Sequence, residues 1–371
     1  MPRELIAVAP RTPVLREYDE PPLGPTQIRI RTEFAAPKHG TELVVYRAEP
    51  AASRPYDREL GAVMARLPER GAGSFPMRLG NMAVGVVAEV GSEVSRFQPG
   101  DRVFGHLPIR ETHTVEETHA DRMPEGLSAE AAVCLDPAVM MMAMRDADIR
   151  LGDHVAVFGL GALGLMGVQM ARIAGADRVI AVDPIAPRRE LALRLGADVV
   201  LDPAADGADV GLAIRRQTGG FSSAEPLQRT RLLGGYWEAP SQTGQLGVDV
   251  AVESSGSIQA LHHAIRSTRF GGTVCVISYY GGEAAGLRLG EEFHINRLKL
   301  VSARAESLPL RDAPGWNLRR LVEVALGWLA SGRLRAEGIV TPIVRFDDAA
   351  EAYREIDEHP ERSIKLGVRF G

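Results

Sequence analysis

The chain has 371 residues, 45% hydrophobic and 25% charged, ordinary globular proportions at a length that favours two domains. A net charge of −5 with a pI near 6.0 is too weak and too acidic for a protein that binds nucleic acid through backbone phosphates. Two cysteines, Cys134 and Cys275, exclude a disulfide framework and a four-cysteine zinc site.

The opening MPRELIAVAP has no apolar signal-peptide core. The longest uninterrupted apolar run, residues 155–168, has 14 residues and four glycines, short of the ~18 that suggest a membrane helix. The expected protein is soluble and cytoplasmic, with neither membrane nor nucleic acid as a partner. Through residue 130 the chain offers short apolar segments broken by turn residues. Residues 27–32 alternate, 82–90 are apolar and small, and Pro99-Gly100-Asp101 is a turn, so this part reads as β-rich. Ser128 caps a helix that begins AEAAV, with Glu130 in its first turn.

Strands and helices alternate from Val155. Strands are expected at 155–158, 178–182 and 199–201, with helices at 163–174 and 187–195. Further on come a strand at 248–252, a helix at 258–268, and strands at 273–278 and 298–302. Such alternation implies a parallel sheet covered on both faces. Helices at 318–330 and 349–356, with strands at 339–344 and 364–368, close the chain and are expected to return to the first domain.

Gly159-Leu160-Gly161-Ala162-Leu163-Gly164 follows a predicted strand and opens a helix, and Asp183 ends the next strand, 19 residues after Gly164. Together these are the dinucleotide fingerprint. Gly159 allows the tight turn, Gly161 lets the backbone approach a pyrophosphate, and Gly164 lets helix and strand pack closely. The amides of the loop and the partial positive charge of the helix N-terminus suit phosphates. Asp183 would accept the ribose hydroxyls and repel a 2′-phosphate, which favours NAD over NADP. Arg188 is the better placed of two arginines (with Arg189) to flank the adenine or touch a phosphate.

With these motifs the chain resembles the medium-chain dehydrogenase/reductase family, the zinc alcohol and polyol dehydrogenases, over nearly its whole length. The most specific stretch is LGNMAVGVVAEVGSEVSRFQPGDRVFG, residues 79–105, where Gly80, Gly85, Val87, Val90, Gly91 and Gly100-Asp101-Arg102-Val103 stand as in the family pattern. HGTE at residues 39–42 resembles the family's C-G-x-D turn, and Glu253-Ser254-Ser255-Gly256 its E-x-x-G segment. Lys365 also matches. The resemblance implies an α/β protein. A GroES-like β-barrel domain would be built from residues 1–138 and 306–371, and a doubly wound Rossmann NAD-binding domain from 139–305, with the active site between them. It also implies that the strand opened by Gly271-Gly272 ends beneath the nicotinamide, which makes Ser278 a cofactor contact. A homodimer or homotetramer is the expected assembly.

The departures fall on the metal site. His39 stands where the family's first ligand is a Cys, Asn81 replaces the His of G-H-E, Met82 replaces the Glu after it, and Asp136 occupies the third position. A catalytic zinc normally takes three good ligands, and only His39 and Asp136 qualify, with Glu42 or His113 as outside candidates for a third. No metal is therefore expected in the usual site, and zinc is doubtful as a cofactor. If one is held, His39 and Asp136 hold it. The proton step then falls to His39, Thr41 or Asp136, with Thr41 at the family's relay position and Val44 in place of the relay His.

Thr218-Gly219-Gly220 is followed by about 27 residues with no family counterpart, an insertion expected near 221–246 to affect substrate or assembly rather than the phosphates. The leading function is an NAD-dependent oxidoreductase that interconverts a small secondary alcohol (polyol, cyclitol, sugar or similar) and its ketone. The alternatives are a zinc-free alkene or quinone reductase and a non-catalytic dinucleotide-binding protein.

Overall fold

A computed structural model describes the chain except residues 50–55, 64–74, 135, 206–208, 219–245, 281–282 and 305–308. The insertion expected at 221–246 thus lies almost wholly outside the described residues. In chain order the elements begin with strands β1 (Arg3–Ala9), β2 (Thr12–Glu17) and β3 (Gln27–Ala36), then helix α1 (His39–Tyr46). Strands β4 (Tyr56–Asp57), β5 (Ala62–Val63), β6 (Met77–Arg78), β7 (Met82–Val90), β8 (Arg102–Gly105), β9 (Thr112–Glu116) and β10 (Asp121–Arg122) precede helices α2 (Ala129–Val133) and α3 (Asp136–Asp146). The alternating part runs β11 (His154–Phe158), α4 (Ala162–Ile173), β12 (Arg178–Val182), α5 (Ala186–Arg194), β13 (Val199–Leu201), α6 (Val210–Gln217), β14 (Val248–Glu253), α7 (Ile258–Ser267), β15 (Thr268–Val276) and β16 (Lys299–Ser302). Helix α8 (Leu318–Ala330), β17 (Val340–Arg345), α9 (Ala349–Glu358) and β18 (Lys365–Arg369) complete it.

The chain divides into two compact units. One comprises Met1–Leu135, Gly281–Glu283 and Leu326–Gly371, the other Asp136–Tyr280 and Ala284–Ala325. In the first, one sheet has the order β2-β1-β6 and a larger one β10-β8-β7-β3-β18-β17, with β9 also on β3. Alternation in β3 buries Ile28, Ile30 and Phe34 and leaves the intervening Arg29, Arg31 and Glu33 at least partly exposed, so one face of the sheet makes the core. Ser128 caps α2 as expected, its Oγ accepting the Ala131 amide at 3.1 Å.

The second unit is a six-stranded sheet of order β13-β12-β11-β14-β15-β16 with every pair parallel. Its inner strands are buried along nearly their whole length, as strands covered by helices on both faces must be. The order reverses between β11 and β14, which sets a ligand crevice outside the carboxyl ends of those strands.

Three expectations change. The return to the first unit comes at Leu326 rather than 306, because the preceding segment is tied to α3: Arg145 pairs with Asp312 at 2.6 Å, and the Leu310 amide donates to Asp146 at 2.7 Å. The second unit begins at Asp136 instead of 139, where α3 starts. The HGTE segment, read as a turn, opens a helix of eight residues. No helix among the described residues is long and apolar enough to cross a membrane.

One buried group in the first unit is poorly satisfied. Tyr46 is 0% exposed and meets the Tyr353 ring edge-on at 4.9 Å, yet its hydroxyl has no partner among the described residues. Burial, with Asp357 next in effect, pushes the phenol up to about 12. Removing an unpaired hydroxyl while keeping the ring relieves a desolvation penalty of about 1–3 kcal/mol. Tyr46→Phe is therefore expected to raise the unfolding free energy by about 1 kcal/mol. Chemical denaturation reads this, and a lower midpoint at unchanged slope would contradict it.

Candidate active site

Each unit carries candidate site residues of its own and is described by itself. In the second unit the glycine loop leaves β11 at Phe158. Gly159 has φ +84°, and a Cβ there would lie 2.7 Å from Ser255 backbone atoms. A Cβ on Gly164 would lie 1.7 Å from the Gly159 carbonyl oxygen, so helix and loop touch there. Gly161 is different, with nothing within 4 Å of its Cβ position. It is also the N-cap of α4 and offers no side chain to the helix amides. Open space beside uncapped amides and the positive end of a helix dipole suits a pyrophosphate, so these residues fit a dinucleotide.

Asp183, just past the end of β12, is 3% exposed. Its Oδ2 accepts the Leu160 amide at 2.7 Å and its Oδ1 the Ile185 amide at 2.8 Å. The Leu160 amide therefore faces this carboxylate, and the loop amides left to a phosphate are those of Gly161, Ala162 and Leu163. Each Asp183 oxygen keeps a further acceptor position. Arg188 places Nη1 3.9 Å from Oδ2, and burial lowers its pKa while Asp183 opposes that shift. Arg189 donates to the Asp183 carbonyl at 2.7 Å and pairs with Asp202 at 2.9 Å. Ser278 follows β15, where its Oγ accepts the Gly256 amide at 2.8 Å.

The first unit holds the residues expected to manage the proton. His39 begins α1, and its Nε2 accepts the Leu366 amide at 3.0 Å. The neighbouring Lys365, 3% exposed, donates to the Pro37 carbonyl at 3.2 Å. Thr41 is exposed. Glu42 accepts at Oε1 from the Gly80 amide at 2.8 Å and from the Tyr353 hydroxyl at 2.6 Å. Burial pushes its carboxyl above the ordinary range, against those two donors and the charge of Lys365. The Asn81 amide donates to Ala36 at 3.2 Å, while its Oδ1 is buried without a partner among the described residues. Met82, 3% exposed, packs in β7. The side chain of Asp136 lies outside the described residues.

This donor set does not fit the zinc site of the resembling family. The lone pair of His39 at Nε2 is already taken by a backbone N–H. Asn81 offers an amide oxygen and Met82 a thioether, both poor zinc donors. His113 sits in β9 opposite Ile30, 2% exposed, with Nε2 unpartnered among the described residues. Burial, helped by Arg110 and Arg78, pulls it down to about 3. Among the described residues no group of three or more His, Cys, Asp or Glu is arranged to hold a metal ion.

Two contacts of the site had no sequence signal. Tyr353 reaches Glu42 across 311 positions of chain, and Tyr280 donates to the buried Glu253 of β14. Both tyrosines lack a motif; only the E-x-x-G segment drew attention to Glu253.

The family model described as the alcohol dehydrogenase GroES-like domain matches residues 43–157, and that described as zinc-binding dehydrogenase matches residues 162–307. D-guloside 3-dehydrogenase of Escherichia coli (strain K12) is 39% identical over 376 residues, covering 99% of this chain and 100% of that protein. The crystal structure of 2R,3R-butanediol dehydrogenase from Bacillus subtilis aligns with a TM-score of 0.72 at 22% identity, covering 100% of this chain and 99% of that one. A putative zinc-binding dehydrogenase from Sinorhizobium meliloti 1021, bound to NADP, aligns with a TM-score of 0.71 at 21% identity, covering 100% and 99%. Both structures share this fold.

The glycine geometry separates two substitutions. Gly164→Ala forces a methyl into the Gly159 carbonyl and is expected to prevent folding or to lower the melting temperature sharply. Gly161→Ala adds its methyl to open space, so the protein should melt within a few degrees of wild type while binding NADH at least tenfold more weakly. Thermal melts and NADH fluorescence titrations test the pair. Equal NADH affinity in Gly161→Ala and wild type would remove this loop as the phosphate cradle.

Proposed function

The chain belongs to the medium-chain, zinc-type alcohol dehydrogenase family, and on that premise we propose that it is an NAD-dependent dehydrogenase. Its substrate would carry a secondary hydroxyl on a sugar, glycoside or polyol, and it would work without the family's catalytic zinc. The observation that carries this reading is the open face at Gly161 beside a carboxylate, Asp183, that accepts two amides and repels added negative charge. The preference for a sugar-type alcohol is supported by 39% identity, over the full length, to a protein named D-guloside 3-dehydrogenase. The zinc-free reading is supported by Asn81, Met82 and the committed nitrogen of His39.

When bound, the nicotinamide supplies the hydride acceptor. The chain's own task is to hold the alcohol and take its proton. Thr41, exposed on α1, passes that proton and His39 receives it. Because a backbone N–H can only donate, the resting ring carries its hydrogen on Nδ1 and keeps the Nε2 lone pair toward Leu366. His39 takes up a proton at Nε2 only by releasing that amide. The working location is the cytoplasm and the working assembly a homodimer or homotetramer.

A panel of glycosides, polyols and short diols, offered with NAD and separately with NADP to protein of measured metal content, tests the reading. Reduction of NAD by at least one member, with little zinc present and no loss on mild chelation, is expected. NADP should bind more weakly, and Asp183→Ala should narrow the gap. Near-stoichiometric zinc would overturn the zinc-free part, and tighter NADP binding the assignment of Asp183.

His39→Ala is expected to lower kcat by about 10²–10⁴-fold, the usual range for general acid–base catalysis, with NADH affinity within twofold of wild type. Saturating steady-state kinetics decide it. Turnover within threefold of wild type would take His39 out of the proton step.

A further inference from the structure

The nicotinamide end of a bound dinucleotide has a definite address in the second unit. The sheet order reverses between β11 and β14, so the crevice lies at the carboxyl ends of these strands. The pyrophosphate belongs at Gly161, and Asp183 past the end of β12 marks the adenosine side. The other half of the ligand therefore extends over the ends of β14 and β15.

A buried carboxylate ties that region together. Glu253, the last residue of β14, pairs with Phe158 of β11 on one side and Val276 of β15 on the other and is 0% exposed. Its Oε1 accepts the Ser255 amide at 2.7 Å and also the Ser255 hydroxyl; its Oε2 accepts the Tyr280 hydroxyl. The Ser255 Oγ in turn accepts the Ser257 amide at 3.1 Å, and Ser257 caps α7. With three donors on its two oxygens, Glu253 is an acceptor whose every contact matters at that depth.

The same residues reach both sides of the crevice. Ser254 Oγ donates to the carbonyls of Phe158 at 3.0 Å and Gly159 at 2.9 Å, which fixes the start of the glycine loop. On the other side the Ile277 amide donates to the Glu253 carbonyl at 3.0 Å. The segment after β15 is thus held to Glu253 twice, by backbone at Ile277 and by side chain at Tyr280. Ser278 lies between the two ties, with its Oγ on Gly256.

We propose that Tyr280 is a positioning residue for the nicotinamide half of the dinucleotide: its hydroxyl, through Glu253, holds the segment that carries Ser278 at the carboxyl ends of β14 and β15. The inference rests on the dinucleotide reading above. Among the described residues the Tyr280 hydroxyl bonds to Glu253 rather than to the glycine loop or Asp183, so the adenosine half should not depend on it.

The test compares two probes. NADH contains both halves; ADP-ribose lacks the nicotinamide. In Tyr280→Phe the Kd for NADH should rise about tenfold, the order of one hydrogen bond to a charged group, while the Kd for ADP-ribose stays within twofold. Should Tyr280→Phe fail to fold, the double variant Glu253→Gln, Tyr280→Phe keeps the acceptor for Ser255, removes the tyrosine tie and leaves no buried charge unpaired. It should show the same selective loss of NADH. Weakening of both probes alike, or of neither, in the folded variant would overturn the proposal. Wild-type protein that binds neither probe would overturn the dinucleotide reading and the proposal with it.

Discussion

The carboxylate of Asp183 connects two segments that have little else in common: the glycine loop, through Leu160, and the start of α5, through Ile185. A carboxylate that is 3% exposed is tolerated only when its oxygens are satisfied, so the two amides are a condition of its burial. The consequence runs outward. With the Leu160 amide committed to Asp183, the amides that remain for a ligand are those that follow it, beside the open space at Gly161. The loop conformation also requires Gly159 at positive φ and the absence of a side chain at Gly164, where the carbonyl of Gly159 occupies the space. Fold and cofactor cradle are thus one arrangement, with no boundary between structural and binding residues.

A similar logic holds in the first unit, with a different source of rigidity. Helix α1 has only eight residues, its N-cap Lys38 makes no side-chain cap, and Val44 and Val45 are poor helix formers. Its sequence alone does not hold it. Contacts from remote segments do: Leu366 on His39, Lys365 on Pro37 just before the helix, and Gly80 and Tyr353 on Glu42. Since β18 and α9 come from the end of the chain, the C-terminal return is what fixes the residues placed here in the proton step. That gives a physical reason for a domain built from both ends of the chain.

These cases also mark how far the sequence could be read. The parallel sheet was legible because its strands are continuous apolar runs separated by helices; α8 falls at Leu318–Ala330, as the pattern predicts, and Ser128 caps α2. The dinucleotide cradle was legible because its glycines follow from local sterics. Helix α1 was not, since the interactions that stabilise it come from residues 80, 353 and 366. Nor was the commitment of the Leu160 amide, which depends on a carboxylate 23 residues away adopting a buried rotamer. His113 shows the opposite error: a good ligand type in the sequence that the sheet buries as a neutral ring at the back of β9. The Tyr280 contact to Glu253 spans 27 residues and leaves no periodic or motif trace.

The replacements at the family's metal positions change the chemistry asked of the remaining residues. A zinc ion makes an alcohol acidic enough to lose its proton before the hydride departs. Asn81 and Met82 carry no charge and cannot do this, and Lys365, buried in the same unit, is fixed on the Pro37 carbonyl. Under the zinc-free reading, proton and hydride must leave together, because a free alkoxide would have no cation to stabilise it. What the site then needs is an acceptor within hydrogen-bond reach at the moment of transfer, more than a strong base at rest. An imidazole whose Nε2 lone pair is held by the Leu366 amide meets that description: it stays oriented until a better proton source arrives, and the backbone donor it releases belongs to the same strand that holds Lys365.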